Sequence, residues 1–160
     1  MTGTPVIMDV MRLTPADWRL FSAIRLRALA DSLGADDPHY RHECRFTAGQ
    51  WRRRLCEHAQ FAATSDGRVV GLIGAQYQNT ETIYLYSLWV DPSARNCGVG
   101  RQLISTAVQW ARDCRVHTIR LRVAADNTVA RSIYEDLGFG VCDTSGATET
   151  RELAMALSVR

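Results

Sequence analysis

The alternation of apolar and polar positions changes period several times along these 160 residues, and each change marks an element. Val6 to Leu13 reads as a first strand. Thr14-Pro15-Ala16-Asp17 then predicts a helix start, with Thr at the N-cap, Pro at the first helical position and an acid at the third. That helix carries Trp18, Phe21 and Ile24 toward Leu33, where Gly34 and Asp36-Asp37-Pro38 stop it. A second helix, near Thr47 to His58, places Trp51 and Leu55 four apart on one face.

Two strand-like runs follow, Phe61 to Thr64 and Arg68 to Tyr77, joined by Ser65-Asp66-Gly67. An Asp-Gly turn between apolar runs is a strong hairpin signal. Glu81 to Val90 is a fourth strand, ended by Asp91-Pro92. The third helix has Leu103, Ile104, Ala107, Val108 and Ala111 on one face, and Arg101, Gln102, Ser105, Gln109 and Arg112 on the other. Val116 to Ala124 is a fifth strand, alternating Ile119, Leu121 and Val123 with Thr118, Arg120 and Arg122. A fourth helix begins at Asn127, presents Ala130, Ile133, Tyr134 and Leu137 at helical spacing, and ends at Gly138. Phe139 to Cys142 and Thr150 to Leu157 are two closing strands. About seven strands and four helices thus form one α/β domain over residues 1–160. Hairpins and helical crossovers occur together, so the sheet is expected to mix parallel and antiparallel pairs.

Composition narrows the partners. A hydrophobic fraction of 46% with 22% charged residues is that of a globular chain. A net charge of +2 is too small to argue for nucleic acid or an anionic membrane, and neither is expected as a partner. Arg52-Arg53-Arg54, the densest basic run, lies in a helical pattern and reads as a solvated face. The five cysteines form no Cys-x-x-Cys pair, and His117 near Cys114 lacks further ligands at zinc spacing, so no metal site is expected. Free thiols suit a reducing cytoplasm. Met1 to Val10 shows no signal-peptide pattern, and no apolar run approaches the roughly 20 residues that cross a bilayer. The expectation is a cytoplasmic protein.

The chemistry concentrates between Leu88 and Arg101. The strand Leu88-Trp89-Val90 stops at Asp91-Pro92, a short turn follows, and an amphipathic helix opens within Arg95-Asn96-Cys97-Gly98-Val99-Gly100-Arg101. The first turn of a helix offers backbone N–H groups without intrahelical partners, at the positive end of the helix dipole. Two glycines let that backbone approach a phosphate, and Asn96 tolerates left-handed dihedrals. A Walker A loop would need Gly-Lys-Ser/Thr, which is absent. A dinucleotide fingerprint would need a third small residue near Leu103. A glycine-containing turn without a ligand stays open at this point.

Arg95-x-x-Gly98-x-Gly100, after a strand ending Leu-x-Val-x-Pro, resembles the Arg/Gln-x-x-Gly-x-Gly/Ala signature of the GNAT acetyltransferase superfamily. Asn127-x-x-Ala130-x-x-x-Tyr134-x-x-x-Gly138-Phe139 resembles its second signature, at the expected distance. The resemblance is sharp over Ile83 to Phe139 and rests on element order before that. It implies a GNAT-like fold with helices on both faces and fourth and fifth strands splayed around acetyl-CoA, the cosubstrate. It implies that the pyrophosphate meets the turn from Arg95 to Arg101 and that the pantetheine arm pairs with Leu88, Trp89 and Val90. The Val90 N–H then binds an oxyanion, while Asn127 and Ala130 join the cofactor site. Asn127 also reads simply as an N-cap. The reaction implied is direct attack by a bound amine on the thioester in a ternary complex, with Tyr134 protonating the leaving thiolate. Tyr134 equally suits a core position with a hydrogen-bonded tip.

A base is harder to find. An alkyl ammonium has a pKa near 10.4, and deprotonating it at neutral pH costs roughly 4–5 kcal/mol. Where relatives carry Glu or His on the fourth strand, this chain has Tyr84 and Tyr86. Tyr84 holding a water relay, Glu81, Glu43 and His117 are the candidates, with Glu43 and Tyr86 also read as substrate-binding. By the resemblance, the acceptor is recognised by Asp31 to Thr47 and Asp143 to Thr150. Asp31, Asp36, Asp37 and Glu43, with His39, Tyr40 and His42, suit a small cationic amine or are simply a soluble acidic loop. A protein lysine, an N-terminal amine, or an acyl-CoA-binding module without turnover are the alternatives. A homodimer through the closing strands would be in keeping with the family.

Overall fold

A computed structural model describes residues 8–143 and 152–159. Val6 and Ile7 of the expected first strand lie outside the described residues, as do Thr150 and most of the recognition segment before it. Seven strands form one sheet in the order β1-β2-β3-β4-β5-β7-β6. They are β1 (Met8–Arg12), β2 (Ala59–Ser65), β3 (Arg68–Asn79), β4 (Thr82–Val90), β5 (Thr118–Ala124), β6 (Gly140–Asp143) and β7 (Glu152–Ser158). The helices are α1 (Trp18–Leu33), α2 (Pro38–Glu43), α3 (Ala48–Glu57), α4 (Val99–Asp113) and α5 (Thr128–Asp136). The sheet is mixed, with β1 antiparallel to β2, β4 parallel to β5, and β7 antiparallel to both β5 and β6. The β4–β5 ladder covers three positions, Thr82↔Thr118 to Tyr84↔Arg120, of strands nine and seven residues long. So short a ladder fits the splay expected of them.

The chain forms two compact units: Met1–Gly74 with Ser87–Leu103, and Ala75–Tyr86 with Ile104–Arg160. The first is built on Leu13, Phe21, Ile24, Trp51, Leu55, Ala62 and Leu72. Phe21 meets the Trp51 ring edge-on at 5.6 Å. A 3-10 turn over Pro15–Asp17 starts α1, and the Thr14 N–H donates to Asp17 Oδ2 at 2.8 Å. Thr47 and Gln50 cap α3 reciprocally: each backbone N–H donates to the other's side-chain oxygen, at 2.8 and 3.2 Å. Asp66 and Gly67, at φ 52° and 78°, turn the β2–β3 hairpin where the sequence placed it.

One expectation changes here. Asp36-Asp37-Pro38 does not merely stop α1; Asp37 accepts from the His39 N–H at 2.8 Å and opens α2 with Pro38 at its first position. Among the described residues five α-helices therefore stand where four were expected, and Glu43 is the last residue of α2, not part of a loop. Gly71 has a steric reason to lack a side chain. A Cβ there would lie 2.8 Å from Leu103 Cδ1 and 2.9 Å from Val99 Cγ1, so β3 could not approach the first turn of α4 as closely.

In the second unit, Ile104, Ala107, Val108 and Ala111 of α4 are buried, as their spacing predicts. The alternation of β5 is equally regular, with Ile119, Leu121 and Val123 inside. β7 follows β5 through seven antiparallel pairs, from Thr118↔Ser158 to Ala124↔Glu152. It thereby enters between β5 and β6, an order that strand periodicity does not encode. Gly138, at φ 103°, ends α5.

Candidate active site

In the first unit, the end of β4 is fastened before the turn begins. The Asp91 N–H donates to the Val70 carbonyl at 2.8 Å. The Asp91 side chain is buried and accepts from the Ser93 hydroxyl at 2.7 Å and the Ser93 N–H at 2.9 Å. These two bonds, with Arg27 paired to the other oxygen and Arg68 beyond, hold the carboxyl below the usual carboxylate range. Asp91 is thus a charged anchor under the turn. Its sequence reading was only that of a strand end.

Arg95 stands next to it, but its guanidinium faces the protein. Nε donates to the Val90 carbonyl at 3.1 Å, and Nη2 donates to Asp31 Oδ2 at 2.9 Å. The same Asp31 oxygen accepts the Trp89 indole N–H at 2.9 Å. Asp31 lies within α1, so an acid expected to recognise substrate instead ties that helix to β4 and to the turn. Nothing in the sequence pointed to it, because its partners are 58 and 64 residues away.

Beyond Arg95 the backbone takes left-handed values at Asn96 (φ 64°) and Gly98 (φ 84°). α4 then begins, its first bond running from the Gln102 N–H to the Gly98 carbonyl at 3.0 Å. The N–H groups of Val99 and Gly100 precede that bond and have no acceptor within the helix. A Cβ built on Gly98 would meet nothing within 4 Å, so the approach to these amides is open. Gly98, Asn96 and Cys97 are exposed, while Val99 is buried beneath them. Free amides at the positive end of a helix dipole are the kind of group that can hold an anion.

β4 also carries an irregularity that its apolar pattern conceals. Ser87 has φ 54° in mid-strand, a strained value for a residue with a side chain. Next to Ser87, Leu88 and Trp89 a cavity of about 360 Å³ is bounded by α1 and α2.

In the second unit, Tyr134 is 5% exposed, and its ring meets Phe139 edge-on at 5.7 Å. Burial, then the neighbouring Tyr84 phenol, pushes its pKa up to about 12. Tyr84 is itself raised by burial, against the opposing pull of Arg122. The structure therefore brings two of the expected catalytic residues together, both as neutral phenols at ordinary pH. Glu81 is exposed in the turn before β4, three residues or roughly 10 Å along the chain from Tyr84. Its carbonyl accepts the His117 N–H at 2.8 Å, so those two base candidates meet through backbone at the start of the paired strands. Tyr86 is half-buried at the middle of the same strand. Asn127 caps α5 by accepting the Ala130 N–H at 3.2 Å, which fulfils its reading as a cap.

Glu43 is 5% exposed, and its oxygens accept from Arg25 at 3.0 and 3.1 Å and from Arg54 at 3.4 Å. Such a carboxylate binds helices together and has little left to offer a substrate. Asp37 is engaged by the cap of α2 and by the His39 ring at 3.1 Å. Among the described residues, no three His, Cys, Asp or Glu side chains form a metal-binding group. No described helix is long and apolar enough to cross a membrane.

The chain belongs to the acetyltransferase (GNAT) family, whose model matches residues 26–139 and so takes in both the turn and Tyr134. It is similar to a mycothiol acetyltransferase of Nocardiopsis dassonvillei, 33% identical over 54% of this chain and 23% of that protein. It is also similar to an aminoglycoside N(6')-acetyltransferase type 1 of Salmonella typhimurium, 26% identical over 51% of this chain and 61% of that one. The chain thus spans less than two thirds of either relative. A PaiA N-acetyltransferase of Thermoplasma acidophilum, solved in complex with coenzyme A, shares the fold. Its TM-score is 0.73 at 17% identity, over 95% of this chain and 99% of that one.

Proposed function

We propose that this chain transfers the acetyl group of acetyl-CoA to the nitrogen of a small primary amine that arrives as an ammonium cation. The observation carrying this reading is the turn ahead of α4, where left-handed Asn96 and Gly98 leave the Val99 and Gly100 amides open to a diphosphate. Family membership and the acetyl-accepting amines named in its relatives support the same reading.

Acetyl-CoA, when bound, supplies an activated acetyl thioester. The residues from Asn96 to Arg101 hold its phosphates, and the backbone of Leu88 to Val90 orients its arm. Asp31, Trp89 and Arg95 keep that backbone and the turn in register through the bonds at 2.9 Å. The Val90 N–H is assigned to the thioester oxygen, where a fixed donor acts on charge that develops in the transition state.

Tyr134 is assigned to the sulfur. A phenol at about 12 stays protonated throughout the neutral range. Complete transfer of its proton to a thiolate of pKa near 8.5 would be uphill by about 3–4 units, or roughly 5 kcal/mol. Tyr134 therefore donates a strong hydrogen bond to the sulfur while charge accumulates there, and solvent completes the protonation. Tyr84, also neutral, holds a water that carries the ammonium proton away. With Glu43 engaged by arginines and Glu81 in an exposed turn, the rate is expected to follow the fraction of free amine in solution.

Two measurements test the reading: calorimetric titration with acetyl-CoA, and thiol release with a panel of small amines and basic peptides. The expected result is micromolar-range binding, together with turnover of a small amine. Binding without any thiol release would mean a module that has lost catalysis, and activity on peptides alone would contradict a small acceptor. No affinity for coenzyme A or its acyl forms would end the proposal.

A further inference from the structure

The cavity beside Ser87 has a charge that the acidic composition of residues 31–47 hides. We infer that the acceptor amine carries a carboxylate of its own, as a free amino acid does, and that Arg25 binds that group. This rests on the acetyltransferase reading and narrows its substrate. Arg25 and His39 are the titratable residues on the cavity wall; no carboxylate lines it. Three acids of the neighbourhood are committed elsewhere: Asp31 to Trp89 and Arg95, Asp37 to His39, and Glu43 to Arg25 and Arg54; Asp36 is exposed and does not line the cavity.

Arg25 itself is built in. Its side chain is 13% exposed, and Nε and Nη2 donate to the two Glu43 oxygens at 3.0 and 3.1 Å. Nη1 has no protein partner among the described residues. Arg54 donates to the same carboxylate at 3.4 Å, so two guanidinium groups share one negative charge and a positive surplus remains. Arginine is suited to binding a planar carboxylate, and its orientation is fixed here by the bond to Glu43. Leu29, Leu33 and Leu88 give the cavity apolar walls, and Ser32 and Ser87 also line it. A volume of about 360 Å³ matches a small zwitterion with an apolar side chain. A polycation would meet a cluster in which two guanidinium groups share a single carboxylate.

Matched substrates test this. Thiol release from acetyl-CoA is measured with leucine against leucinamide and with phenylalanine against its amide, alongside spermidine and an amino sugar. The amides have the less basic nitrogen, hence more free amine at neutral pH, so intrinsic reactivity favours them. A preference for the acids then reports the site. The expected preference in kcat/KM is about tenfold or more for the acids. Arg25→Gln with Glu43→Gln keeps a neutral hydrogen-bonded pair in the helix interface. It should bring the preference within about twofold while acetyl-CoA affinity by calorimetry is unchanged. Arg25→Lys, which keeps the charge but not the fork, should give an intermediate value. Calorimetry with leucine and leucinamide on the protein with coenzyme A reads the same preference without turnover. Equal or better use of the amides, spermidine or the amino sugar overturns the inference, as does a preference that survives in the double variant. Neither leucine nor leucinamide being bound or acetylated overturns it too. Loss of acetyl-CoA affinity in the wild-type protein would instead bring down the parent reading.

Discussion

Asp31 on α1 accepts the indole N–H of Trp89 on β4 at 2.9 Å, and this bond fixes the end of the strand from which the turn ahead of α4 departs. Arg95 uses the same carboxylate oxygen. A substrate-recognition acid in the sequence reading is therefore a brace for the turn. Asp31→Ala should weaken acetyl-CoA binding about tenfold and lower stability by about 1–2 kcal/mol, since the Arg95 pair is partly exposed and contributes little. Asp31→Asn keeps an acceptor and should fall between. Calorimetry and thermal unfolding separate the two effects; unchanged affinity in Asp31→Ala would remove the bracing role.

Gly98 and Gly100 stand two residues apart and should respond differently to alanine. Gly98 lies at φ 84°, where a side chain costs about 1 kcal/mol, and its Cβ would project into the open face assigned to the diphosphate. Gly100 is helical, and its added Cβ would be in ordinary contact with Val90 Cγ2 at 3.7 Å. Gly98→Ala is expected to raise the KM for acetyl-CoA more than tenfold, while Gly100→Ala stays within a few-fold. Equal effects would place the phosphate elsewhere.

Removing the Tyr134 hydroxyl should lower kcat by about ten- to hundredfold, with acetyl-CoA affinity retained. Unchanged turnover in Tyr134→Phe at every pH would reject its part in the reaction. The raised pKa has a second consequence. In the unfolded chain the phenol titrates near 10.0, in the folded one at about 12. Between those values the folded state binds the proton and the unfolded state does not. Stability from this group is thus complete below pH 10 and is lost as pH rises toward 12, by about 2–3 kcal/mol. The phenylalanine variant should lose that alkaline slope in urea unfolding followed against pH.

Breaking the Glu43 cluster from one side should be costly. Glu43→Ala leaves Arg25 and Arg54 without their buried carboxylate and is expected to destabilise by about 3–5 kcal/mol. Glu43→Gln, which still accepts hydrogen bonds, should cost about half as much. A loss below 1 kcal/mol in the alanine variant would show the cluster to be far better solvated than its 5% exposure indicates.

The elements were legible wherever local chemistry sets them. Thr14-Pro15, Thr47 with Gln50, Asp66-Gly67 and Asn127 each satisfy backbone groups within a few residues, so each appears in the sequence as a short pattern. Asp37-Pro38 has the same form as Thr14-Pro15, an N-cap before proline, so the signal for α2 stands in the sequence beside the stop of α1. Ser87 gave no such signal. A serine between Tyr86 and Leu88 continues a strand pattern, and its left-handed dihedral depends on what the backbone on either side must reach.

By itself, the sequence determined where along the chain the strands lie, the main helices, the glycine turn and the tyrosine on α5, because periodicity records which side chains are buried and glycine records where backbone must bend. Tertiary structure alone decided that β7 enters between β5 and β6, and that Tyr84 stands close enough to Tyr134 to raise its pKa. It also decided that Asp31, Asp37 and Glu43 serve an indole, a helix cap and arginines within the protein. Charge in a sequence is a quantity without an address: a carboxylate reads the same whether it faces a ligand or an arginine 18 residues away, and only the folded chain brings the two together.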